Sequence, residues 1–256
     1  MDRETTVVLD NKALNNDHRM LVVEAPRLSN MARPGQFAEL STNGATLLRK
    51  PISISMADRE KGTLAFVFRM IGKGTEYLGN LEPSSKLDII GPLGNGFDTD
   101  CGSALLVGGG VGTPPLLYLA KQLKTEGKKV SVVLGARDKG DLLLLDEFEK
   151  LGIEPVCATD NGSAGVKGTV VTALEEKAPL DGGTKLFACG PWPMLKALSA
   201  FSESKGLELE VLLEAYMGCG MGVCVGCVVP TTEGMKRVCK EGPAFNAKEI
   251  LWSKIR

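Results

Sequence analysis

The chain has 256 residues, of which 43% are hydrophobic, so it is long enough to form more than one packed domain. Thirty basic residues stand against thirty-one acidic ones, and the formal net charge is -1. This balance removes the electrostatic basis for binding nucleic acid or an anionic membrane. We also find no transmembrane segment, signal peptide or internal repeat, so we expect a cytoplasmic protein whose seven cysteines are reduced.

The N-terminal third has the pattern of a small antiparallel barrel. From Thr5 to about Gly91, short apolar runs alternate with turn signals, which is typical of a β-barrel or sandwich. The runs are TTVVL, RMLVVEAP, GQFAEL, PISIS, TLAFVFRM and KLDIIG. We therefore predict a β-barrel domain over residues 1–99, in which GPLGNGF, residues 91–97, is a linker.

Cations and small residues cluster at two places in this region. Arg49 and Lys50 precede the extended Pro51-Ile52-Ser53, and Arg69 lies just before Gly72-Lys73-Gly74-Thr75. Positive side chains and free backbone N–H groups are the partners that a pyrophosphate group requires. The segment therefore predicts a phosphate site, and an edge strand with solvated charges is the alternative.

Strands alternating with helices follow over residues 100–212, which predicts a parallel sheet with right-handed crossovers. The first strand ends in Gly108-Gly109-Gly110-Val111-Gly112-Thr113, a turn that lets the backbone approach a phosphate at the start of a helix. It is not a strict G-x-G-x-x-G motif, and a tight connection without a ligand is the alternative. The fourth strand ends in Cys189-Gly190-Pro191, with Met194 following. We predict a nucleotide-binding α/β domain.

Four cysteines near the C-terminus carry the most specific signal. Cys219, Cys224, Cys227 and Cys239 have the spacing C-x4-C-x2-C-x11-C, and the first three match the spacing of plant-type two-iron, two-sulfur ferredoxins. Gly218, Gly220, Gly222 and Gly226 allow the backbone to lie close to the inorganic sulfides. A zinc site is the main alternative, although zinc sites usually use two separated C-x2-C pairs. We predict a small 2Fe-2S domain over residues 213–256.

The remaining reactive residue types have simpler interpretations. His18, the only histidine, lies in a predicted polar turn, so we expect a solvated side chain and no acid–base catalysis by histidine. We interpret Cys101 and Cys157 as ordinary reduced thiols. No side chain is expected to act as a catalytic group, because the chemistry would reside in cofactors.

The barrel and nucleotide motifs resemble those of the ferredoxin-NADP reductase superfamily. Lys50-Pro51-Ile52-Ser53 is similar to the R-x-Y-S/T motif of its flavin domains, and Cys189-Gly190-Pro191 is similar to the segment that faces the nicotinamide. The resemblance implies that FAD is bound by Arg49, Lys50, Pro51, Ile52, Ser53, Val67, Phe68, Arg69, Gly74 and Thr75. It implies that NAD(H) is bound by Gly109, Gly110, Gly112, Thr113, Cys189, Gly190, Pro191 and Met194. Lys50 and Ile52 depart from the motif, which leaves open whether Arg49 or Lys50 meets the pyrophosphate.

The whole chain resembles the electron-transfer subunits of type B dihydroorotate dehydrogenase, in the segments LLRKPIS, GKGT, GPLGNGF, LVGGGVGTPPL, FACGP and the Glu-x-x-Met-x-Cys loop. This resemblance implies an oxidoreductase subunit of pyrimidine biosynthesis that channels electrons between the FMN of a catalytic partner subunit and NAD+, through the 2Fe-2S cluster and FAD. It implies a heterotetramer with two copies of each subunit. It favours NADH over NADPH. The Gly135–Lys139 turn by itself does not decide between them, because it offers both an acid for a ribose hydroxyl and cations for a 2'-phosphate.

Two other functions agree with parts of this pattern. The first is the small subunit of an NADH-dependent ferredoxin:NADP oxidoreductase or of a sulfide dehydrogenase, which shares the architecture. The second is a redox sensor whose cluster reports oxidant. Ser53 and the intact Gly74-Thr75 pair favour a working flavin site over the sensor.

Overall fold

The computed structural model describes residues 1–177 and 183–255. Its N-terminal part is a closed six-stranded barrel in the order β1-β2-β5-β4-β3-β6, with antiparallel pairing throughout. The strands are β1 (Asp2–Ala13), β2 (His18–Glu24), β3 (Phe37–Leu40), β4 (Lys50–Asp58), β5 (Thr63–Arg69) and β6 (Lys86–Leu93). The predicted barrel is confirmed because alternate residues of these strands are apolar and fill one interior.

Two short helices in this part were not predicted. Helix α1 (Pro26–Met31) follows β2, and α2 (Lys73–Gly79) begins within the predicted Gly-Thr turn. Strand β6 extends to Leu93, so the first three residues of the predicted linker belong to the barrel. The rest of that linker is held in place, because Phe97 is buried and its ring meets Phe187 edge to face at 5.3 Å.

The second part is a seven-stranded sheet in the order β10-β9-β8-β7-β11-β12-β15. Six strands are parallel: β7 (Ser103–Gly109), β8 (Lys129–Ala136), β9 (Val156–Thr159), β10 (Val166–Lys167), β11 (Thr184–Cys189) and β12 (Leu209–Leu212). The helices are α3 (Thr113–Thr125), α4 (Leu145–Lys150), α5 (Val170–Lys177) and α6 (Trp192–Ser204). Two apolar cores lie on this sheet, as expected for parallel strands buried on both faces.

The C-terminal segment is tied to this sheet, which the cysteine spacing did not reveal. It forms a hairpin of β13 (Val228–Thr231) and β14 (Gly234–Arg237), after which β15 (Ala244–Asn246) pairs antiparallel with β12. The four-cysteine region is therefore joined to the edge of the nucleotide-binding sheet.

The barrel and the sheet meet through α3, which packs against β4. At this contact the buried Tyr118 hydroxyl donates a 2.9 Å hydrogen bond to the carbonyl of Ala32. A second link joins the β1–β2 turn to the loop after β8, where the Asn15 side-chain amide donates to the Gly140 carbonyl at 2.9 Å. Among the described residues, no helix combines the length and apolar character needed to cross a bilayer.

Candidate functional site

A cavity of about 670 Å³ lies at the carboxyl ends of the parallel strands. Its walls come from the ends of β7, β8, β9 and β11, the starts of α5 and α6, and two barrel residues. The lining residues are His18, Arg69, Gly109–Gly112, Gly135–Arg137, Asp141, Asp160, Gly168–Val171, Pro191–Leu195, Gly190, Ala197 and Glu214. Ligands of open α/β sheets bind at this edge, where the connections that leave adjacent strands turn to opposite faces of the sheet and open a crevice.

Close backbone approach explains the glycines of this cavity. A Cβ atom on Gly112 would lie 2.3 Å from the carbonyl oxygen of Cys189. A Cβ atom on Gly109 would lie 2.5 Å from Sδ of Met194. Most residues of the predicted NAD set therefore converge here, although their roles stay predictions. Two residues of that set, Thr113 and Cys189, are not among the lining residues. Cys189 is buried in the apolar core, and this burial raises the pKa of its thiol, so the side chain is a neutral thiol and not a thiolate nucleophile.

Two arginines that line the cavity form ion pairs with aspartates. Arg137 contacts Asp141 through Nε and Nη2, at 2.9 and 2.8 Å from Oδ2. Arg69 contacts Asp17, with Nη2 2.9 Å from Oδ2. Arg69 was predicted among the FAD residues, and its side chain is one of the two barrel groups that line the nucleotide cavity.

The expectation of a solvated His18 was wrong. The side chain is buried, and Nδ1 lies 2.9 Å from Oδ1 of Asn15. Burial, followed by the nearby Arg69 charge, lowers the pKa of His18, so the ring is neutral at pH 7. His18 is buried because the polar turn between β1 and β2 folds against the loop that carries Gly140.

The predicted flavin segment brings Lys50 against Gly74. A Cβ atom on Gly74 would lie 2.2 Å from Cε of Lys50, so the lysine stem crosses the start of α2 directly. Thr75 stabilises this turn, since its hydroxyl accepts a hydrogen bond from the Ile71 N–H at 3.0 Å and donates one to the Gly72 carbonyl. A cation beside the first turn of a helix, whose backbone N–H groups have no partner within the helix, fits a pyrophosphate group.

Arg49 has a different environment from Lys50. Its guanidinium is bound to the Asp88 carboxylate and donates a 2.9 Å hydrogen bond to the Asp88 carbonyl. The arginine therefore links β4 to β6 across the short strand β3. Of the other predicted FAD residues, Val67 and Phe68 have buried side chains, while Pro51, Ile52 and Ser53 are half-buried on β4.

The four predicted ligand cysteines lie in one loop and hairpin. Cys227 and Cys239 are buried, Cys219 is half-buried and Cys224 is exposed. Sγ of Cys219 accepts hydrogen bonds from three backbone N–H groups, those of Met221, Val223 and Cys224, at 3.3–3.4 Å. Sγ of Cys239 accepts one from Gly222 at 3.1 Å, and Sγ of Cys227 accepts one from Cys239 at 3.4 Å.

These hydrogen bonds suit thiolates that ligate iron. The N–H groups of Cys224, Met221 and Val223 lower the pKa of the Cys219 thiol to about 6, although burial raises the pKa of Cys239. Metal ligation itself favours deprotonation of a buried thiol. Within residues 1–177 and 183–255, no three His, Cys, Asp or Glu side chains converge as ligands of a single ion. The four cysteines supply the two thiolates per iron that a two-iron cluster takes.

The cluster loop touches the barrel through Glu39 of β3. A Cβ atom on Gly220 would lie 2.3 Å from Oε1 of Glu39, so the loop backbone presses on this buried carboxyl. Burial raises the pKa of Glu39 to about 7. Strand β3 also pairs with β4, where Glu39 lies opposite Pro51. One barrel strand thus joins the predicted flavin segment to the four-cysteine loop.

Two family models match separate stretches of the chain. Residues 106–200 match the oxidoreductase NAD-binding domain. Residues 214–251 match the iron–sulfur cluster binding domain of dihydroorotate dehydrogenase B. The chain is therefore an NAD-binding, iron–sulfur oxidoreductase with the fold of the ferredoxin reductases.

Similarity to whole proteins identifies the family. The chain is 40% identical to the electron transfer subunit of dihydroorotate dehydrogenase B (NAD+) from Desulforamulus reducens, over 90% of each chain. It is 39% identical to the same subunit from Geobacillus thermodenitrificans, over 97% of this chain and 98% of the relative. The chain belongs to the family of dihydroorotate dehydrogenase B electron transfer subunits. The matched domains, the family and the reductase fold confirm the predicted cofactors, which are FAD, a 2Fe-2S cluster and NAD(H).

Solved structures show the same architecture. An NADH-dependent reduced ferredoxin-NADP oxidoreductase superposes with a TM-score of 0.88 at 32% identity, covering 98% of this chain and 91% of that one. The cytochrome b5 reductase domain of Ulva prolifera nitrate reductase superposes with a TM-score of 0.67 at 17% identity, covering 81% of this chain and 94% of that domain. The second likeness concerns the fold alone.

Sequence reasoning did not single out several residues of the nucleotide cavity. They are Asp141, Asp160, Gly168–Val171, Trp192 and Glu214, together with His18, which was expected to be solvated. The turn after β8 was considered for the choice between NADH and NADPH, and its residues Gly135, Ala136 and Arg137 line the cavity. Glu214 carried a usable signal, since it opens the cluster motif. The Glu214 side chain is exposed, but protein atoms surround its carboxyl group and partly exclude water, which raises the pKa of that group.

Proposed function

We propose that this chain channels electrons between the FMN of a dihydroorotate dehydrogenase catalytic subunit and NAD+, through its own 2Fe-2S cluster and FAD, in pyrimidine biosynthesis. The proposal includes three domains, over residues 1–99, 100–212 and 213–256, and a heterotetramer with two copies of each subunit. FAD supplies the conversion between two-electron and one-electron transfer. The observation that carries the proposal is the position of the four-cysteine loop, which is anchored on the barrel and exposed on its outer side.

The anchoring consists of direct contacts with the first domain. Glu39 lies against Gly220, and the Asn95 side-chain amide donates hydrogen bonds to the carbonyls of Lys240 and Glu241 at 3.3 and 3.0 Å. These contacts hold the proposed cluster ligands against the strands that carry the flavin segment. Short, fixed separations favour electron transfer between the two proposed sites.

The outer side of the loop has the character of a partner surface. Tyr216 is 99% exposed, Val223 is 78% exposed and Val225 is 56% exposed, and the ligand Cys224 lies among them. Exposed apolar residues grouped around a redox centre are expected where another subunit docks. We propose that the catalytic subunit, which the family name implies, covers this surface.

At the carboxyl ends of the parallel strands, we propose that the cavity receives NAD(H). Gly109–Gly112 would present backbone N–H groups to the pyrophosphate, and Arg69 would add a positive charge from the barrel. Cys189 would pack against the nicotinamide as a neutral thiol. For FAD, we propose Lys50 as the pyrophosphate cation, because Arg49 is already bound by Asp88.

The test is reconstitution with the catalytic subunit under anaerobic conditions. We expect dihydroorotate to bleach the flavin and cluster absorbance of this chain only when the partner is present, and NADH to bleach them without it. Bleaching by NADH with no response to dihydroorotate would instead indicate the ferredoxin or sulfide systems. Val223→Glu should weaken coupling to the partner, whereas Leu9→Glu, on exposed β1, should leave it unchanged.

A further inference from the structure

One residue of the cluster loop, Gly222, touches two of the proposed ligand cysteines through neighbouring peptide groups. Its own N–H donates to Sγ of Cys239 at 3.1 Å. The next N–H along the chain, that of Val223, donates to Sγ of Cys219 at 3.3 Å. Gly222 has a φ of +84°, a backbone conformation that side chains other than glycine rarely adopt. The position of this residue therefore sets two sulfur hydrogen bonds at once.

Arg237 holds this peptide in place from the neighbouring hairpin. Its Nη1 donates a 2.6 Å hydrogen bond to the carbonyl oxygen of Gly222. That carbonyl and the N–H of Val223 belong to the same peptide group. A continuous chain of hydrogen bonds thus runs from the guanidinium, through the Gly222–Val223 peptide, to the sulfur of Cys219.

Glu241 in turn orients Arg237. Its carboxylate binds the guanidinium through both oxygens, with Nε 3.0 Å from Oε2, and it also accepts the backbone N–H of Arg237 at 2.7 Å. Paired hydrogen bonds of this kind fix the plane of the guanidinium as well as its position. The Arg237 side chain is only one-third exposed. Its guanidinium is held between the Glu241 carboxylate and the Gly222 carbonyl.

We infer that Arg237 is a positioning residue that raises the reduction potential of the iron–sulfur cluster by clamping the Gly222–Val223 peptide. A hydrogen bond to the peptide carbonyl polarises the peptide and strengthens the hydrogen bond that the N–H of Val223 donates to Sγ of Cys219. Reduction adds negative charge to the cluster, and N–H groups directed at its sulfurs stabilise that charge. The inference rests on the proposed function, because it requires that Cys219 and Cys239 ligate a 2Fe-2S cluster.

The experiment is an EPR-monitored redox titration of the cluster in the full-length holoprotein. Arg237→Met removes the donor and one positive charge while keeping a long side chain. Lys236→Met is the matched control. It removes the same charge from the adjacent residue of β14, whose ammonium binds Glu233 and Glu249 and makes no hydrogen bond to the loop. We expect Arg237→Met to move the midpoint potential to a more negative value by a clearly larger amount than Lys236→Met.

Two further measurements separate this effect from simple loss of structure. Iron and acid-labile sulfide content should be unchanged in Arg237→Met. If that variant loses its cluster, Arg237→Lys is titrated instead. The lysine keeps the charge, but one ammonium cannot reproduce the paired contact with Glu241, so a smaller negative shift is expected.

The outcomes distinguish the inference from the function on which it rests. Equal shifts in Arg237→Met and Lys236→Met, or a wild-type potential in Arg237→Lys, would overturn the positioning role of Arg237 and leave the proposed function intact. Absence of iron and sulfide from the wild-type protein would overturn the proposed function itself.

Discussion

The nucleotide cavity and the cluster loop are built in opposite ways. The cavity is assembled from the ends of four strands, the starts of two helices and two barrel residues that are far apart in the sequence. The cluster loop makes most of its sulfur hydrogen bonds within the stretch from Cys219 to Cys239. The first site depends on how the sheet is folded, whereas the second depends on local spacing. Substitutions should therefore affect the two sites independently.

The largest expected effect is loss of the cluster in Cys224→Ser. A hydroxyl is a poor substitute for a thiolate ligand of iron, so iron and sulfide content should fall to a small fraction of the wild-type value while FAD is retained. Metal analysis and the flavin absorbance spectrum measure both. Cys101→Ser is the matched control and should keep its iron, because Cys101 lies at the start of the sheet domain, outside the loop. Unchanged iron in Cys224→Ser would contradict the ligand assignment.

Gly112→Ala should damage the nucleotide cavity without touching the cluster. The added Cβ would lie 2.3 Å from the Cys189 carbonyl, so the turn after β7 must move away from β11. We expect the KM for NADH to rise by roughly tenfold or more, which corresponds to about 1.4 kcal/mol or more of binding free energy. The control is Gly102→Ala, where a Cβ meets nothing within 4 Å. A normal KM together with full iron content would show that this turn does not bind the cofactor.

Substitutions of the two neighbouring cations at the start of β4, Arg49 and Lys50, should have separate effects on barrel stability and on FAD binding. Lys50→Met removes the cation that crosses Gly74 and should weaken FAD binding by roughly tenfold or more, since a charge-assisted hydrogen bond contributes about 1.5–3 kcal/mol. Arg49→Met breaks the contact with Asp88 and should lower the thermal midpoint with a smaller change in FAD affinity. Titration of the apoprotein with FAD and thermal melts measure these effects. The reverse pattern would assign the pyrophosphate to Arg49.

The smallest expected effect concerns the contact between the barrel and the loop. Burial raises the pKa of Glu39 from 4.5 to about 7, so the unfolded chain releases this proton at lower pH than the folded one. Glu39 therefore destabilises the fold progressively as the pH rises from about 4.5 to about 7. Glu39→Gln should reduce the fall in thermal midpoint across this range by a few degrees, at about 2–4 °C per kcal/mol. An identical pH dependence in the two proteins would contradict the raised pKa.

Sequence reasoning succeeded where the signal is periodic or local. The six barrel strands and the alternating strands and helices of the sheet follow from apolar periodicity, because side chains must alternate between a buried face and solvent. It failed at α2, which begins with Gly-rich residues, and at β15, whose three residues form a strand only because the edge of β12 is available. His18 looked solvated because no local pattern shows that its turn folds onto a distant loop.

The sequence by itself determined the order of the domains, the cysteine spacing and the glycines at the nucleotide turn, since each depends on residues close together in the chain. Tertiary structure decided which side chains meet. It placed Arg49 on Asp88 and left Lys50 beside Gly74, it brought Arg69 to the nucleotide cavity, and it set Arg237 on the carbonyl of Gly222. The physical reason is that electrostatic and hydrogen-bond partners are chosen by distance in space, which strand pairing and packing establish only after the chain has folded.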